Sequence, residues 1–428
     1  MKKTEELKGE QLKPQKIEKN IHPLNAESFP HHYFSERSEK YIIRNTIQNL
    51  EHFLKYHGIK TRLNEMNYRI EVIMNKRIEY SAKNIDHFVV IKSLLAEAGY
   101  DKILNVNDYA TQIAIKNMYH PTRDWILSKP LTTTGNIKRM VAALNTKNPE
   151  ITEILLTTWL ISGIKAWFHE DGVAAQGVLI LCGKTGTRKT TFVKGLLPSA
   201  MLLEGHVLNT NKDGNKITAL AYAITEMGEI RASIRASSDD GLKGFFTTEV
   251  DSIRVPYGRV DTIRQRRTIF TGTVNEQQFL TDETGSRRYW IIDIDEQIDT
   301  DHGVDPQQLW AEAKKLYDNG AKWYLTPEYE SMVSEKNKHH DVENEMQELL
   351  LARYDWDQPR TRFLNCAEII IDLNLQLGNY QVESKLRKAL RKLQKEAPHI
   401  IINHTKKGTV YELPRLIEAI NAAQSIKE

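Results

Sequence analysis

At 428 residues the chain exceeds one ordinary hydrophobic core, and domains of roughly 100–200 residues are expected along it. Hydrophobic residues make up 40% and charged residues 27%, a globular composition that excludes a wholly disordered chain. The formal net charge of +3 is too small to imply nucleic acid by itself, so the distribution of charge must decide.

Residues 1–32 read as a flexible basic tail. "MKKTEELKGEQLKPQKIEKN" is lysine-rich and has no apolar core behind its lysines, which excludes a signal peptide. Residues 33–148 are expected to form an α-rich domain. In "RSEKYIIRNTIQNLEHFLKYHG", Ile42, Ile47, Leu50 and Leu54 follow helical spacing and Gly58 is a stop signal. "NIDHFVVIKSLLAEAGY" and "NVNDYATQIAIKNMYH" read as two more helices. The most apolar segment, "TEILLTTWLISGIKAWF", is interrupted by Lys165 and falls short of about 18 clean apolar residues, so it predicts a buried helix and no membrane span. Cys182 and Cys366 are the two cysteines, without metal-ligand spacing, which argues against a zinc site and for a reducing, cytoplasmic setting.

From 149 to 335, helical segments alternate with the apolar runs "GVLILC", "ALAYAI", "RTIFTGTV" and "YWIIDI". That alternation predicts an α/β domain with a largely parallel sheet. "SEKNKHHDVENE" is a charged break. Residues 345–420 then offer three helices, in "NEMQELLLARY", "CAEIIIDLNL" and "QVESKLRKALRKLQKEA", before two strands turning at Lys407-Gly408. Helices followed by a hairpin are the order of a winged helix-turn-helix.

The chemistry is densest in "GVLILCGKTGTRKTTFVKGLLP", a strand, a loop and a helix. Gly183, Gly186, Lys189 and Thr190 stand where a phosphate loop needs them, with Thr191 beside them. Arg188 occupies the position at which G-x-x-x-x-G-K-[ST] requires glycine. In such a loop the backbone N–H groups and the helix N-terminus face the phosphates, the lysine neutralises them, and the hydroxyl ligates Mg²⁺. ATP and Mg²⁺ are therefore the expected ligands. A hydrolase also needs an acid at a neighbouring strand end; "ALAYAITEMGE" supplies Glu226, with Glu229 next, and Asp239 and Asp240 are rivals. The bland alternative for Glu226 is a helix N-terminal carboxylate. Asn275 ends "RTIFTGTVN" and can orient water. Arg287 and Arg288 precede "YWIIDI" and suit a finger reaching a neighbouring subunit's phosphate; a surface ion pair is the alternative for either.

In chain order, "YHPTRDWI", "GKTGTRKTTF" with "LLP", "NKDGNKITALAYAITEMGEI", "LKGFFTTEVDSIRVPYGR" and "TGTVNEQQFLTDETGSRRYW" resemble the virulence-associated E (VirE/VapE) family, placed with the superfamily III-like AAA+ helicases of phages and mobile islands. The resemblance covers about half the chain. It implies a P-loop AAA+-like ATPase core, and an ATP-dependent DNA helicase or replication initiation protein that works as a ring, expected to be a hexamer. It gives Lys189 and Thr190 the phosphate and Mg²⁺, Glu226 the Walker B role and a share of the metal, Asn275 that of sensor, and Arg287 or Arg288 that of trans finger. Arg188 departs from the family glycine. The primase module of many relatives has no counterpart in residues 1–35, so primase activity is not expected of these residues; a separate primase or other replication proteins are the expected partners.

Lys243, Arg254, Arg259, Arg264, Arg266 and Arg267 lie between the acidic strand and the asparagine strand, where relatives carry a pore hairpin that holds DNA. Phe245 and Phe246 can stack on bases or pack in a core. In "ESKLRKALRKLQKEA", Val382, Leu386, Ala389, Leu390 and Leu393 form one stripe, leaving Lys388, Arg391 and Lys392 among the cations of the other side to lie along DNA. Lys406 and Lys407 are the expected wing tip. A solvated basic face is the alternative at both places. The rival to a DNA motor is a DNA-binding regulator whose ATP site binds but hardly hydrolyses.

Overall fold

The computed structural model describes residues 24–74, 87–100, 105–237, 239–253, 262–275, 279–280, 287–340, 345–396, 401–405 and 408–417. Most of the expected tail lies outside them. The chain divides into two compact units, Met1–Thr273 with Ile292–Leu325, and Val274–Ile291 with Thr326–Glu428.

The first unit opens with an antiparallel hairpin of β1 (His32–Ser35) and β2 (Lys40–Ile43). Helix α1 (Ile47–Tyr56) starts where the Thr46 side chain accepts the Asn49 N–H, and it buries Leu50, Phe53 and Leu54. Ile42 belongs to β2 rather than to this helical stripe, because Thr46 caps the helix between them. A second hairpin, β3 (Lys60–Leu63) and β4 (Ile70–Ile73), precedes α2 (His87–Glu97) and α3 (Val106–Lys116). Phe29, Leu50, Phe53, Ile91, Leu95 and Ala110 share one core. The α-rich region thus also carries two hairpins. Helix α4 (Pro121–Ile126) is capped by His120, whose Nδ1 accepts the Arg123 N–H at 3.1 Å. Burial pushes the His120 pKa down to about 3, which keeps the ring neutral and able to accept that bond.

After α5 (Asn136–Ala143) comes α6 (Pro149–Phe168), the apolar segment expected to be a buried helix. It buries Leu155, Leu156, Trp159, Leu160, Ile161, Ile164 and Trp167. Among the described residues no helix is long and apolar enough to cross a membrane. The chain continues through β5 (Val178–Cys182), α7 (Lys189–Lys194), β6 (Leu202–Leu203), α8 (Asp213–Ala219), β7 (Ile224–Met227), α9 (Ile230–Ala236) and α10 (Asp239–Thr247). An antiparallel hairpin of β8 (Val250–Ile253) and β9 (Thr262–Gln265) follows, then β10 (Ile269–Val274), β11 (Tyr289–Asp293) and α11 (Pro306–Asp318).

Five strands form a parallel sheet in the order β11-β5-β10-β7-β6. Every residue of β5, β7 and β10 is buried, the signature of parallel strands covered on both faces. The run "ALAYAI" yields a strand only from Ile224 onward, because Ala219 and Leu220 close α8. Helix α6 meets the sheet through the Trp159 indole N–H, which donates to the Phe270 carbonyl at 2.8 Å. Gly163 lets α6 approach α11, since a Cβ there would lie 2.9 Å from the Trp310 ring. The Glu312 carboxylate on α11 accepts the N–H groups of Gly135 and Asn136 at 3.1 and 2.7 Å, closing the start of α5.

In the second unit α12 (Pro327–Asn337) donates the Asn337 side-chain N–H to the Tyr289 carbonyl at 2.8 Å. Farther on, the order is α13 (Glu345–Arg353), β12 (Arg362–Leu364), α14 (Cys366–Asp372), α15 (Tyr380–Glu396), β13 (Ile401–Thr405) and β14 (Gly408–Leu413). The three strands form an antiparallel sheet, β12-β14-β13. Strand β12 is the element the sequence did not announce. Asn365 and Glu368 form a capping box on α14. Leu350, Ile369, Ile370, Leu386, Leu390 and Leu413 are fully buried in a single core.

Candidate nucleotide site

Strand β5 ends at Cys182, and the chain turns through 183–188 into α7. Gly183 has no room for a side chain, because a Cβ would stand 2.7 Å from the Ile294 carbonyl. The Ile294 N–H donates to the Cys182 carbonyl at 2.7 Å, so the segment after β11 lies against the start of the loop. Gly186 has φ +88 in open space, a left-handed turn that glycine adopts without strain.

Arg188 caps α7 with φ 62 and ψ 24, also left-handed. The position therefore keeps the backbone conformation that favours glycine, at a cost of about 1–2 kcal/mol for a side chain bearing a Cβ. The exposed guanidinium donates to Thr300 Oγ1 at 3.1 Å. The Ile298 N–H donates to the Thr187 carbonyl at 3.1 Å, so the 298–300 segment holds the loop at two points. Arg188→Gly removes the strained residue and its tie, and lets a phosphate approach the bare backbone. Nucleotide turnover should rise. Stability should change by no more than about 1 kcal/mol, since strain relief and the added freedom of the unfolded chain oppose each other. Single-turnover hydrolysis and a urea midpoint measure both effects; a fall in turnover would make Arg188 a phosphate ligand.

Lys189 is 6% exposed. Its ammonium donates to the Gly183 and Lys184 carbonyls at 2.7 and 2.8 Å and to Thr187 Oγ1 at 3.3 Å. Burial pushes its pKa below the usual lysine range, while the Glu229 carboxylate pulls it back up. Thr190 and Thr191 are exposed on the first turn of α7.

Glu226 lies in β7, 1% exposed and paired in register with Thr271 of β10. Oε2 accepts the Gly205 N–H at 2.7 Å and Oε1 accepts the Thr273 hydroxyl at 3.3 Å. Glu226 is thus a strand carboxylate, and the helix N-terminal position belongs to Glu229. That residue is exposed, caps α9 and has φ 51, the second non-glycine in the left-handed region at the start of a helix leaving this sheet. The neighbouring Gly228 is required by packing, because a Cβ would stand 3.0 Å from Gly205 Cα. Periodicity does not disclose a backbone angle or the Thr273 bond. The recurrence of Thr271 and Thr273 on one face of β10 is the sequence signal for the latter.

Asn275 is exposed directly after β10. Arg287 is exposed and pairs with Glu330 of α12 at 3.3 Å, which is the surface ion pair weighed for it; Arg288 is half-buried.

Of the expected DNA contacts, Lys243 lies in α10. Arg254, Arg259, Lys406 and Lys407 lie outside the described residues. The β8–β9 hairpin does occur between β7 and β10. Two of the arginines beside it face inward, which corrects their reading as DNA contacts. Arg266 is 1% exposed and gripped by Asp251. Arg267 donates to the Ala166 carbonyl at 2.9 Å and to the carbonyls of His169 and Glu170, capping the end of α6. Phe245 and Phe246 are buried against Phe270 at 5.5 and 5.2 Å, so both pack in the core. On α15, Leu386, Ala389, Leu390 and Leu393 are buried, Lys388 and Arg391 exposed and Lys392 half-exposed.

The sheet and its helices define a mixed α/β protein whose distinctive loop lies between β5 and α7. Residues 130–342 match the model of the virulence-associated protein E-like domain, and the chain carries a domain of that family. No curated protein matches the chain. Among solved structures, the A-form apo structure of the NrS-1 C-terminal region (305–718) is 14% identical, over 85% of this chain and 98% of that one, with a TM-score of 0.43. A second apo structure of that region covers 86% of this chain at the same identity and TM-score. At that distance neither says what this chain does.

Proposed function

We propose that the chain is an ATP-dependent DNA helicase or replication initiation protein of a phage or mobile element, built on a P-loop AAA+-like core and acting as a ring. The observation that carries the reading is the loop at 183–190. It has a glycine that packing forbids to be anything else, left-handed backbone at Gly186 and Arg188, and a buried lysine folded onto the loop's own carbonyls. That donor set fits a polyphosphate: Lys189 exchanges carbonyl oxygens for phosphate oxygens, and the N–H groups at the start of α7 favour an anion. Thr190, with Glu226, would hold Mg²⁺, which supplies charge neutralisation on the phosphates when bound. Glu226 and Asn275 would position water, and Arg287 or Arg288 would reach a neighbouring subunit's nucleotide in a hexamer. A cytoplasmic setting completes the proposal.

The DNA side rests on the second unit. Helix, strand, helix, helix and hairpin, with strand order β12-β14-β13, suit a winged-helix domain. Helix α15 turns an apolar stripe inward and offers Lys388 and Arg391 to phosphates.

The regulator that binds ATP but hardly hydrolyses it keeps one supporting observation, the strained Arg188 tied to Thr300. Single-turnover ATP hydrolysis with and without single-stranded DNA separates the two. Hydrolysis accelerated by DNA is expected; DNA binding with no hydrolysis selects the regulator, and hydrolysis indifferent to DNA removes the motor.

A further inference from the structure

The hairpin "HHYFSERSEKYIIR" is an anchored finger with aromatic sides. Asn49 is fully buried and clamps its base: its side chain accepts the His31 N–H at 3.0 Å and donates to the His31 and Arg44 carbonyls at 2.7 Å each. The Arg44 N–H donates to the His31 carbonyl at 3.0 Å. Ile43 packs against the core of the N-terminal helices. Beyond this base the rings are exposed, Tyr33 by 45%, Phe34 by 52% and Tyr41 by 39%. Leaving three large rings in water on a short hairpin forgoes the burial that ordinarily stabilises such side chains.

The arrangement indicates what covers them. Strand alternation puts His32, Phe34 and Tyr41 on one face, with Tyr41 edge-on to Phe34 at 5.2 Å and to His32 at 5.3 Å. The other face carries Tyr33, with the Arg44 guanidinium 5.5 Å from its ring centre, and Lys40. Rings held on edge to one another present separate π-faces. Ile42 and Ile43 are half-buried, so every large hydrophobic side chain that the hairpin exposes is aromatic. Arg44 lies beside the Tyr33 ring, Lys40 pairs with Ser35 at the far end of the strands, and Arg37 stands in the turn with Glu36 and Glu39. A protein-docking patch joins aliphatic and aromatic groups into one apolar area. Exposed rings with cations on the same hairpin suit unpaired bases and their phosphates.

We infer that the β1–β2 hairpin is a binding site for single-stranded nucleic acid, in which Phe34, Tyr41 and Tyr33 stack on bases while Lys40, Arg37 and Arg44 meet the backbone. The hairpin shares no residue with the nucleotide loop or with α15, so the proposed motor stands or falls without it.

The test uses the full chain and fluorescein-labelled oligodeoxythymidine of about 20 nucleotides, with its ribose counterpart as a second probe. Phe34→Ala with Tyr41→Ala should weaken binding about tenfold or more, with the salt dependence unchanged, because stacking releases no counterions. Arg37→Ala with Lys40→Ala should instead flatten the salt dependence. Phe34→Trp with Tyr41→Phe keeps the rings and should keep the affinity, and unlabelled oligonucleotide should quench its indole emission beyond the change seen in the unmodified chain, whose seven tryptophans set the baseline. Affinity for both probes untouched by ring removal, with no quenching, overturns the inference. So does a ring-removal effect confined to self-association, which would make the hairpin a protein-docking surface. Equal loss for both probes identifies stacking without sugar selection; loss for one names the nucleic acid.

Discussion

Replacing Arg266 with alanine should destabilise the first unit by about 3–5 kcal/mol, the cost of leaving one half of a buried ion pair alone. The guanidinium is held on every side. Nε and Nη2 donate to the two Asp251 oxygens at 2.7 and 2.6 Å, and Nη1 donates to the Phe245 carbonyl at 2.7 Å. The Phe245 ring lies 4.4 Å and the Phe270 ring 5.9 Å from its carbon. Alanine would strand a carboxylate that is 9% exposed, orphan a carbonyl and open a cavity between two rings. Urea denaturation followed by fluorescence and far-ultraviolet dichroism measures the loss. Arg266→Met keeps much of the volume and should still cost most of the effect, because Asp251 stays unpaired. Adding Asp251→Leu to Arg266→Met should recover a large part of it. If Arg266→Ala shifts the midpoint by less than the equivalent of about 1 kcal/mol, the pair contributes no more than an exposed salt bridge. The pair fastens the β8–β9 hairpin next to β10, so any hairpin role on DNA depends on a cation that never touches DNA.

Arg266 also marks where sequence reading ends. In "RVDTIRQRRTIF" the arginines look alike, and a cluster of cations reads as a surface. Their separate fates depend on partners that spacing does not mark, Asp251 across the same hairpin for one and the distant end of α6 for the next. Where burial sets the pattern, the sequence was legible. "VLILC" is apolar throughout because β5 is covered on both faces, and the α15 stripe at Leu386, Ala389, Leu390 and Leu393 faces inward as its spacing requires. Short elements were not legible. Strands β1 and β2 carry exposed rings rather than alternating burial, and β12 is three residues long, held by its pairing with β14. In the nucleotide loop the residue types were visible, but not that Arg188 takes the glycine-type angle, nor that Glu229 does the same at the start of α9.

Glu226→Gln should lower ATP turnover by about 100-fold or more while nucleotide stays bound, the loss typical of removing a positioned acid or base. The substitution tests chemistry because the site can accept an amide. With the glutamine oxygen turned to the Gly205 N–H, its NH₂ group donates to the Thr273 hydroxyl, which accepts as readily as it donates. The fold is then retained, and an unchanged urea midpoint shows it. Glu226→Ala would remove both hydrogen bonds and empty the space of a side chain that is 1% exposed, and so confuse stability with catalysis. The companion variant is Glu229→Gln. Glu229 is exposed and close enough in charge to influence Lys189, whereas both Glu226 oxygens are already committed to the protein. Nucleotide affinity and single-turnover hydrolysis of the two variants divide the roles. A loss confined to Glu226→Gln assigns the acid that meets water to Glu226, whose oxygens each keep a further lone pair beside the bonds from Gly205 and Thr273. A loss confined to Glu229→Gln would instead make Glu226 a positioning residue that ties β10 to the loop after β6, with Glu229 the acid that meets water.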